Sequence, residues 1–247
     1  MQTPFGNHRL RGTIVSNMAG SNGRRARHDG PPTTVEERVF WQQGLRRVAG
    51  LDEVGRGPWA GPVYAAAVVL PVAPDELAAL SEVRDSKRLS ERRRERLAVE
   101  IQAVALAVAV GRAEADEIDE LGIVAATRLA MRRALAGLEL SPQALILDAL
   151  RLPQIPLPQR AFPRADALSL SVAAASIVAK VARDRWMVDT ADVAYPGYGF
   201  AQHKGYGTQQ HRVALERLGV CPLHRRSFRP IADRVRTADV AECGDLG

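Results

Sequence analysis

Asp52 and Glu53 are adjacent acids that close an apolar run, Val48-Ala49-Gly50-Leu51, and a Gly55-Arg56-Gly57 turn follows almost at once. A second apolar run, 63–70, comes next. The pattern reads as a strand, a tight turn and a returning strand, with the acids at the first strand's end. A carboxylate there costs stability unless it is solvated, paired or metal-bound. Two further acids, Asp148 and Asp166, stand at or beside the ends of later segments. Singly, each reads as a surface carboxylate or a cap. Gathered together they repel: two unit charges about 4 Å apart cost on the order of 4 kcal/mol at an effective dielectric near 20. Such a cluster takes up protons or binds divalent cations, and an all-oxygen donor set points to Mg²⁺ or Mn²⁺. The chemistry implied is metal-assisted attack on something negatively charged, with glycine backbone close to the ligand.

The elements that must position these acids can be read from periodicity. Segments 48–52 and 63–70 read as strands. Ser90 is placed to cap a helix over 91–103, with Leu97, Ile101 and Val104 at helical spacing. A third strand is expected within 105–111, an acidic linker over 114–120, and a second helix over 123–138 that stops at Gly137 before Pro142. Ala144–Asp148 is a short apolar segment ending in an acid. Pro153, Pro156 and Pro158 make 149–160 a loop. A long helix follows from 169 to about 189, with small residues (Ala173, Ala174, Ala175, Ser176, Ala179) that permit close packing. Strands first, then strands alternating with helices, give an α/β domain with a mixed sheet. In such sheets functional groups converge at strand ends.

Bulk properties narrow the function. The 247 residues are 46% hydrophobic, enough to bury one domain's core. Thirty-four Lys and Arg against 28 Asp and Glu leave a net charge of +6, which favours a polyanionic partner. Cys221 and Cys243 are the only cysteines and form no CxxC, which excludes a zinc ribbon or a disulfide framework and makes a reducing cytoplasm the default. No apolar run reaches membrane-spanning length. Residues 1–34 read as an unstructured basic leader, with Arg9, Arg11, Arg24, Arg25 and Arg27 against Asp29 alone; a start at Met18 is the other reading. The folded domain is expected over 35–235, with a tail over 236–247. Gly55, Gly57 and Gly61 do not form a dinucleotide fingerprint: the spacing is GxGxxxG, Pro58 and Pro62 interrupt it, and a strand follows.

Leu51-Asp52-Glu53-Val54-Gly55-Arg56-Gly57-Pro58, with Ala60-Gly61-Pro62-Val63, resembles the opening of bacterial ribonuclease HII. Further motifs follow in order: Asp85-Ser86-Lys87-Arg88-Leu89-Ser90, Leu147-Asp148, Ala165-Asp166, and the helix stretch from Ala174 to Arg185. Tyr198-Gly199-Phe200, His203-Lys204-Gly205-Tyr206-Gly207-Thr208 and His211 complete a series over about 48–230.

The resemblance implies an RNase H-like fold: a mixed five-stranded sheet flanked by helices, with a C-terminal helical extension. It implies endonucleolytic cleavage of RNA–DNA hybrids and of single ribonucleotides embedded in duplex DNA, leaving 5′-phosphate and 3′-hydroxyl ends; with nothing arguing for an obligate partner, a monomer is the default. Carried over by motif, Asp52, Glu53, Asp148 and Asp166 are the catalytic, metal-binding carboxylates, with Mg²⁺ or Mn²⁺ as cofactor. Gly55, Arg56 and Gly57 sense the ribose 2′-hydroxyl, and Tyr206 packs on the neighbouring deoxyribose. Lys87, Lys180 and Lys204 are phosphate contacts. Asp184 is expected to be structural, pairing with an arginine, and His203 and His211 to hold structural hydrogen bonds. The sequence departs from the family at Ala149, where glycine is usual, and at Trp59, where a smaller residue is. Another two-metal RNase H-like nuclease and a noncatalytic nucleic-acid module are the alternatives. The glycine-arginine-glycine turn and the Lys-Gly-Tyr motif speak against the first, and the four retained acids against the second.

Overall fold

The structure, a computed structural model, describes residues 30–244. Most of the expected leader therefore lies outside the described residues. Its last part does not: Thr33 pairs with the backbone of Leu168 and Leu170, at 3.0 and 2.9 Å.

One mixed five-stranded sheet organises the chain. Strands β1 (Val48–Val54), β2 (Val63–Val69) and β3 (Ala107–Ala113) form an antiparallel meander. Strands β4 (Ala144–Asp148) and β5 (Gln159–Phe162) add parallel to β1, giving the order β3-β2-β1-β4-β5. Nine α-helices flank or extend the sheet among the described residues. They are α1 (Val35–Trp41), α2 (Glu91–Val104), α3 (Ala115–Leu121), α4 (Ile123–Ala136), α5 (Leu170–Trp186), α6 (Asp192–Ala194), α7 (Phe200–His203), α8 (Gln209–Leu218) and α9 (Arg229–Gly244). None is long and apolar enough to cross a membrane.

Both sheet faces are covered, which is why β2 is apolar without alternation and buried along its whole length. Helix α5 lies on one face with α2 outside it, joining Val68, Leu97, Ile101 and Ile177 in one core. Helix α4 covers the other face, joining Leu51, Val69, Met131 and Leu147. The small residues of α5 let it sit almost against β1. A side chain at Gly50 would overlap the backbone of Ser171 and Val172, so that position must be glycine. A third core, built on Met187, Tyr198, Phe200, Leu215 and Ile231, holds the C-terminal helices together.

Two segments differ from the sequence reading. The acidic stretch expected as a linker is the helix α3. Its acids start it: Glu117 accepts the Glu114 backbone N–H at 2.9 Å and Glu114 caps in return, a reciprocal box that also suits the helix dipole. Strand β5 begins inside the expected proline loop; four half-buried residues show no alternation to betray them. Ser90 stands at the N-cap of α2, but its hydroxyl makes no capping bond.

Candidate active site

The sheet brings the predicted acids together. Parallel β1 and β4 pair in register through Leu51 and Leu147, so Asp52 and Asp148 follow side by side at adjacent strand ends. Strand β5 pairs Asp148 with Phe162 and then turns back. The turn returns Asp166 to the same edge, where Asp148 Oδ1 accepts the Ala165 backbone N–H at 3.0 Å. That turn passes through Arg164 at φ +62°, and Asp148 is followed by Ala149 at φ +57°. Both are left-handed conformations that L-residues adopt at a cost. The usual glycine after this acid thus has a physical reason, which Ala149 forgoes.

Burial and like charge act on these groups together. Burial raises the Asp52 carboxyl well above the usual carboxylate range; Glu53 and Asp148 add to the rise, and a hydrogen bond from Ser176 opposes it. Burial also raises Glu53, against the pull of Arg56, whose Nη1 donates to Glu53 Oε1 at 3.2 Å. Asp166 is raised by burial, then by Asp148 and Asp85, with Lys87 opposing. Ser176 is in turn held by Ser86 (Oγ···Oγ 3.0 Å), which ties the Asp-Ser-Lys segment to the acid centre.

Whether these residues fit a divalent cation can be tested on their atoms. Glu53 Oε2 is buried and accepts no hydrogen bond, and every donor is a carboxylate oxygen. That is the donor set a hard cation prefers. Among the described residues no three such side chains are already drawn into a metal-holding group. The acids share a neighbourhood and an electrostatic coupling, and a cation would draw them closer.

Beside the acids lies a second constellation, built around the glycine turn. Arg225, fully buried, donates to Gly55 O (2.6 Å), Arg56 O (3.0 Å) and Gly61 O (2.8 and 2.9 Å). Arg183, also fully buried, donates to Pro62 O at 3.0 Å and Ala60 O at 3.3 Å. Gly55, at φ +90°, sits against the Arg183 side chain, which a Cβ would overlap. Around Gly57 the space is open, with nothing within 4 Å of a would-be Cβ. The Tyr206 loop docks on the far side of this turn through Trp59 N–H to Gly205 O at 2.8 Å. Gly207 lies flat on the Trp59 ring, so the larger residue at 59 serves as the floor of that loop. The Arg183 guanidinium is 6.0 Å from the Tyr206 ring, which is 41% exposed.

The three lysines fall in different settings. Lys87 is exposed and close enough to Asp166 to lower its affinity for a proton. Lys204, left-handed at φ +52°, folds its ammonium back onto Ala201 O. Lys180 pairs with Asp184 at 2.8 Å, and Arg94 stands 3.9 Å from the same carboxylate. Asp184 is thus paired chiefly with a lysine, and the arginine expected beside it stands farther off. His203 and His211 are buried, with backbone carbonyl partners at 2.9 and 3.0 Å.

A family model described as Ribonuclease HII matches residues 49–231. The chain belongs to the ribonuclease HII family. It is 57% identical over 196 residues to a ribonuclease HII of Thermus thermophilus, covering 79% of this chain and 92% of that one. Among solved structures, ribonuclease H2 from Pyrococcus horikoshii superposes with a TM-score of 0.61 at 27% identity, covering 77% of this chain and 99% of that one. A Bst ribonuclease HIII in complex with Mn²⁺ matches with a TM-score of 0.57 at 22% identity, over 81% of this chain and 72% of that one, a likeness of fold. The protein is thus a ribonuclease H, an endonuclease that hydrolyses RNA in RNA–DNA hybrids, and its family is metal-dependent.

Within this ribonuclease HII frame, sequence reasoning passed over Arg183, Arg225, Ser176 and His224 as site residues. Arg183 and Ser176 lie inside the 174–185 helix stretch. Arg225 and His224 had no local signal, because an arginine's burial depends on carbonyls 164–170 residues away.

Proposed function

We propose that Asp52, Glu53, Asp148 and Asp166 hold two divalent cations, Mg²⁺ or Mn²⁺, and that the enzyme cuts at single ribonucleotides embedded in duplex DNA as well as in longer hybrids. The observation that carries the proposal is adjacency. Coupled carboxylates lie at neighbouring strand ends, and a turn held by Arg225 begins two residues beyond Glu53. When bound, such cations activate water, stabilise the leaving 3′-oxygen and neutralise the phosphate.

The remaining work falls to the protein. Asp52, central to the coupling, is the proposed bridging ligand. Gly55, Arg56 and Gly57 present backbone to the ribose, whose 2′-hydroxyl both donates and accepts. The carbonyls that Arg225 occupies cannot swing away, so the turn meets the sugar without prior ordering. Tyr206 rests on the deoxyribose at the junction. Lys87, Lys180 and Lys204 bind phosphates, with Lys180 exchanging Asp184 for the nucleic acid. Working as a monomer in the cytoplasm completes the proposal; the buried thiol of Cys221 is free, as a reducing compartment would keep it.

The test is a DNA duplex carrying one ribonucleotide, beside all-DNA and all-RNA controls, with Mg²⁺ or Mn²⁺. Cleavage confined to the 5′ side of the ribonucleotide, leaving 5′-phosphate and 3′-hydroxyl ends, is expected. Equal cutting of all-DNA would favour a general RNase H-like nuclease, and salt-sensitive binding without cutting a noncatalytic module.

A further inference from the structure

Three imidazoles lie buried beneath the Tyr206 loop, with exposures of 7% for His203, 0% for His211 and 1% for His224. His203 and His211 stack at 4.3 Å, and Phe200 meets both edge-on. Their hydrogen bonds fix where each proton sits. His224 Nδ1 stands 2.9 Å from the Cys221 backbone N–H and 3.2 Å from the Cys221 carbonyl; the closer N–H donates to it, so the proton of a neutral His224 is on Nε2. That Nε2–H faces His211 Nε2 at 3.0 Å, which must accept. His211 then carries its proton on Nδ1, which stands 3.0 Å from Tyr206 O and donates to it. The opposite assignment gains only the longer His224 Nδ1–H contact to Cys221 O, turns the bare His211 Nδ1 toward the Tyr206 carbonyl oxygen, and sets the Cys221 N–H against another N–H. His203 is settled the same way: Gly205 N–H donates to its Nδ1 at 3.2 Å, and its Nε2–H donates to Tyr198 O at 2.9 Å. Burial depresses His211 and His224 to about 4, so both rings are neutral at neutral pH.

We propose that His224 and His211 form a proton-ordered relay from the Cys221 backbone to the Tyr206 carbonyl, and that both are positioning residues for the Tyr206 ring. The proposal rests on the reading that Tyr206 tests the deoxyribose. Tyr206 O accepts from His211 Nδ1 and from Thr208 N–H at 2.8 Å, while Tyr206 N–H donates to His203 O at 2.9 Å. Both peptide planes flanking a half-exposed ring are therefore fixed from below, which is what a preorganised contact requires. His224 reaches the Tyr206 carbonyl through His211; its task is to hold His211 in the tautomer that donates upward.

Two substitutions at one position separate positioning from packing. Asn in His211→Asn places its amide near the Nδ1 position and keeps the donor to Tyr206. Gln in His211→Gln places its amide near Nε2, keeping the His224 contact and losing that donor. Single-turnover cleavage of the one-ribonucleotide duplex should stay within about twofold for H211N and fall roughly tenfold in rate for H211Q, with affinity little changed. In a Y206A background, H211Q should have no further effect. Equal losses for H211N and H211Q, or an H211Q loss that persists without the tyrosine ring, would overturn the proposal. Imidazole ¹⁵N spectra of the unsubstituted protein test the relay without any variant. Nδ1–H for His211 and Nε2–H for His224 are expected, and the reverse pair would overturn it. If Y206A alone cleaves and discriminates like the parent, the sugar reading fails, and the tautomers alone then decide whether the relay holds the loop.

Discussion

The carboxylate end of β1 and the cradle one turn beyond it solve opposite problems. At the carboxylate end, buried groups of one sign face each other, Glu53 Oε2 is left without a hydrogen bond, and burial and neighbours raise three acids. In the cradle the buried charges are Arg183 and Arg225, and carbonyl oxygens receive them; only Arg183 Nη1 lacks a partner. The imidazoles beneath are neutral and use both nitrogens. Folding completes the second region, whereas the first keeps a buried oxygen without a partner. On the proposed reading, recognition of the sugar would be rigid in advance, while the chemistry would wait for cations.

Breaking the first region should have the largest effect. Asp52→Asn keeps shape and removes a ligand charge, so the cleavage rate should fall by roughly three orders of magnitude with duplex binding retained. Because it also removes a buried like charge, the metal-free variant should melt no lower than the parent. Near-parental turnover would remove Asp52 from the metal site. In the cradle, Arg225→Met strips the donor from Gly55, Arg56 and Gly61 carbonyls and should cost on the order of 4 kcal/mol in urea unfolding. A loss below about 1 kcal/mol would mean that other contacts hold the turn.

The two regions also respond to pH with opposite sign. Asp52, Glu53 and Asp166 bind protons more tightly folded than unfolded, so their contribution to stability is lost as pH rises through their raised folded values. His211 and His224 bind protons more weakly when folded, about 4 against 6.5, so stability is lost as pH falls from 6.5 toward 4. Millimolar Mg²⁺ should therefore raise the melting temperature clearly at pH 8 and less at pH 5, where protons compete more strongly with the cation for the raised acids. An equal rise at both values would mean the cation binds elsewhere. The smallest effect is expected at Ala149→Gly, where relief of the left-handed backbone should add about 1 kcal/mol, measured by chemical denaturation, with activity retained.

Legibility in the sequence followed the same division. Strands β1 and β2 were readable because both are continuous apolar runs ending at a turn, and the acids because they interrupt such runs. Helix α3 was hidden because seven residues, four of them acids, are too short for the Ala115–Ile118–Leu121 spacing to stand out; its start is encoded in the Glu114–Glu117 capping pair. Strand β5 was too short and too evenly half-buried to show a period. Arg225 follows His224 and precedes Arg226 in what reads as an ordinary basic surface run. Only the fold shows that Arg225 goes inward to three carbonyls while the neighbouring Arg226 backbone N–H bonds Asp119 at 2.8 Å. Long-range partners decided those fates, and no local pattern contains them.

The gathering of carboxylates around shared cations is tested most directly by Mn²⁺-soaked crystals and their anomalous difference map. The account predicts peaks at the β1–β4 strand ends, with oxygens of both Asp52 and Asp148 within about 2.5 Å of manganese. Manganese bound only at outlying acids such as Asp184, with Asp52 and Asp148 uncoordinated, would contradict it.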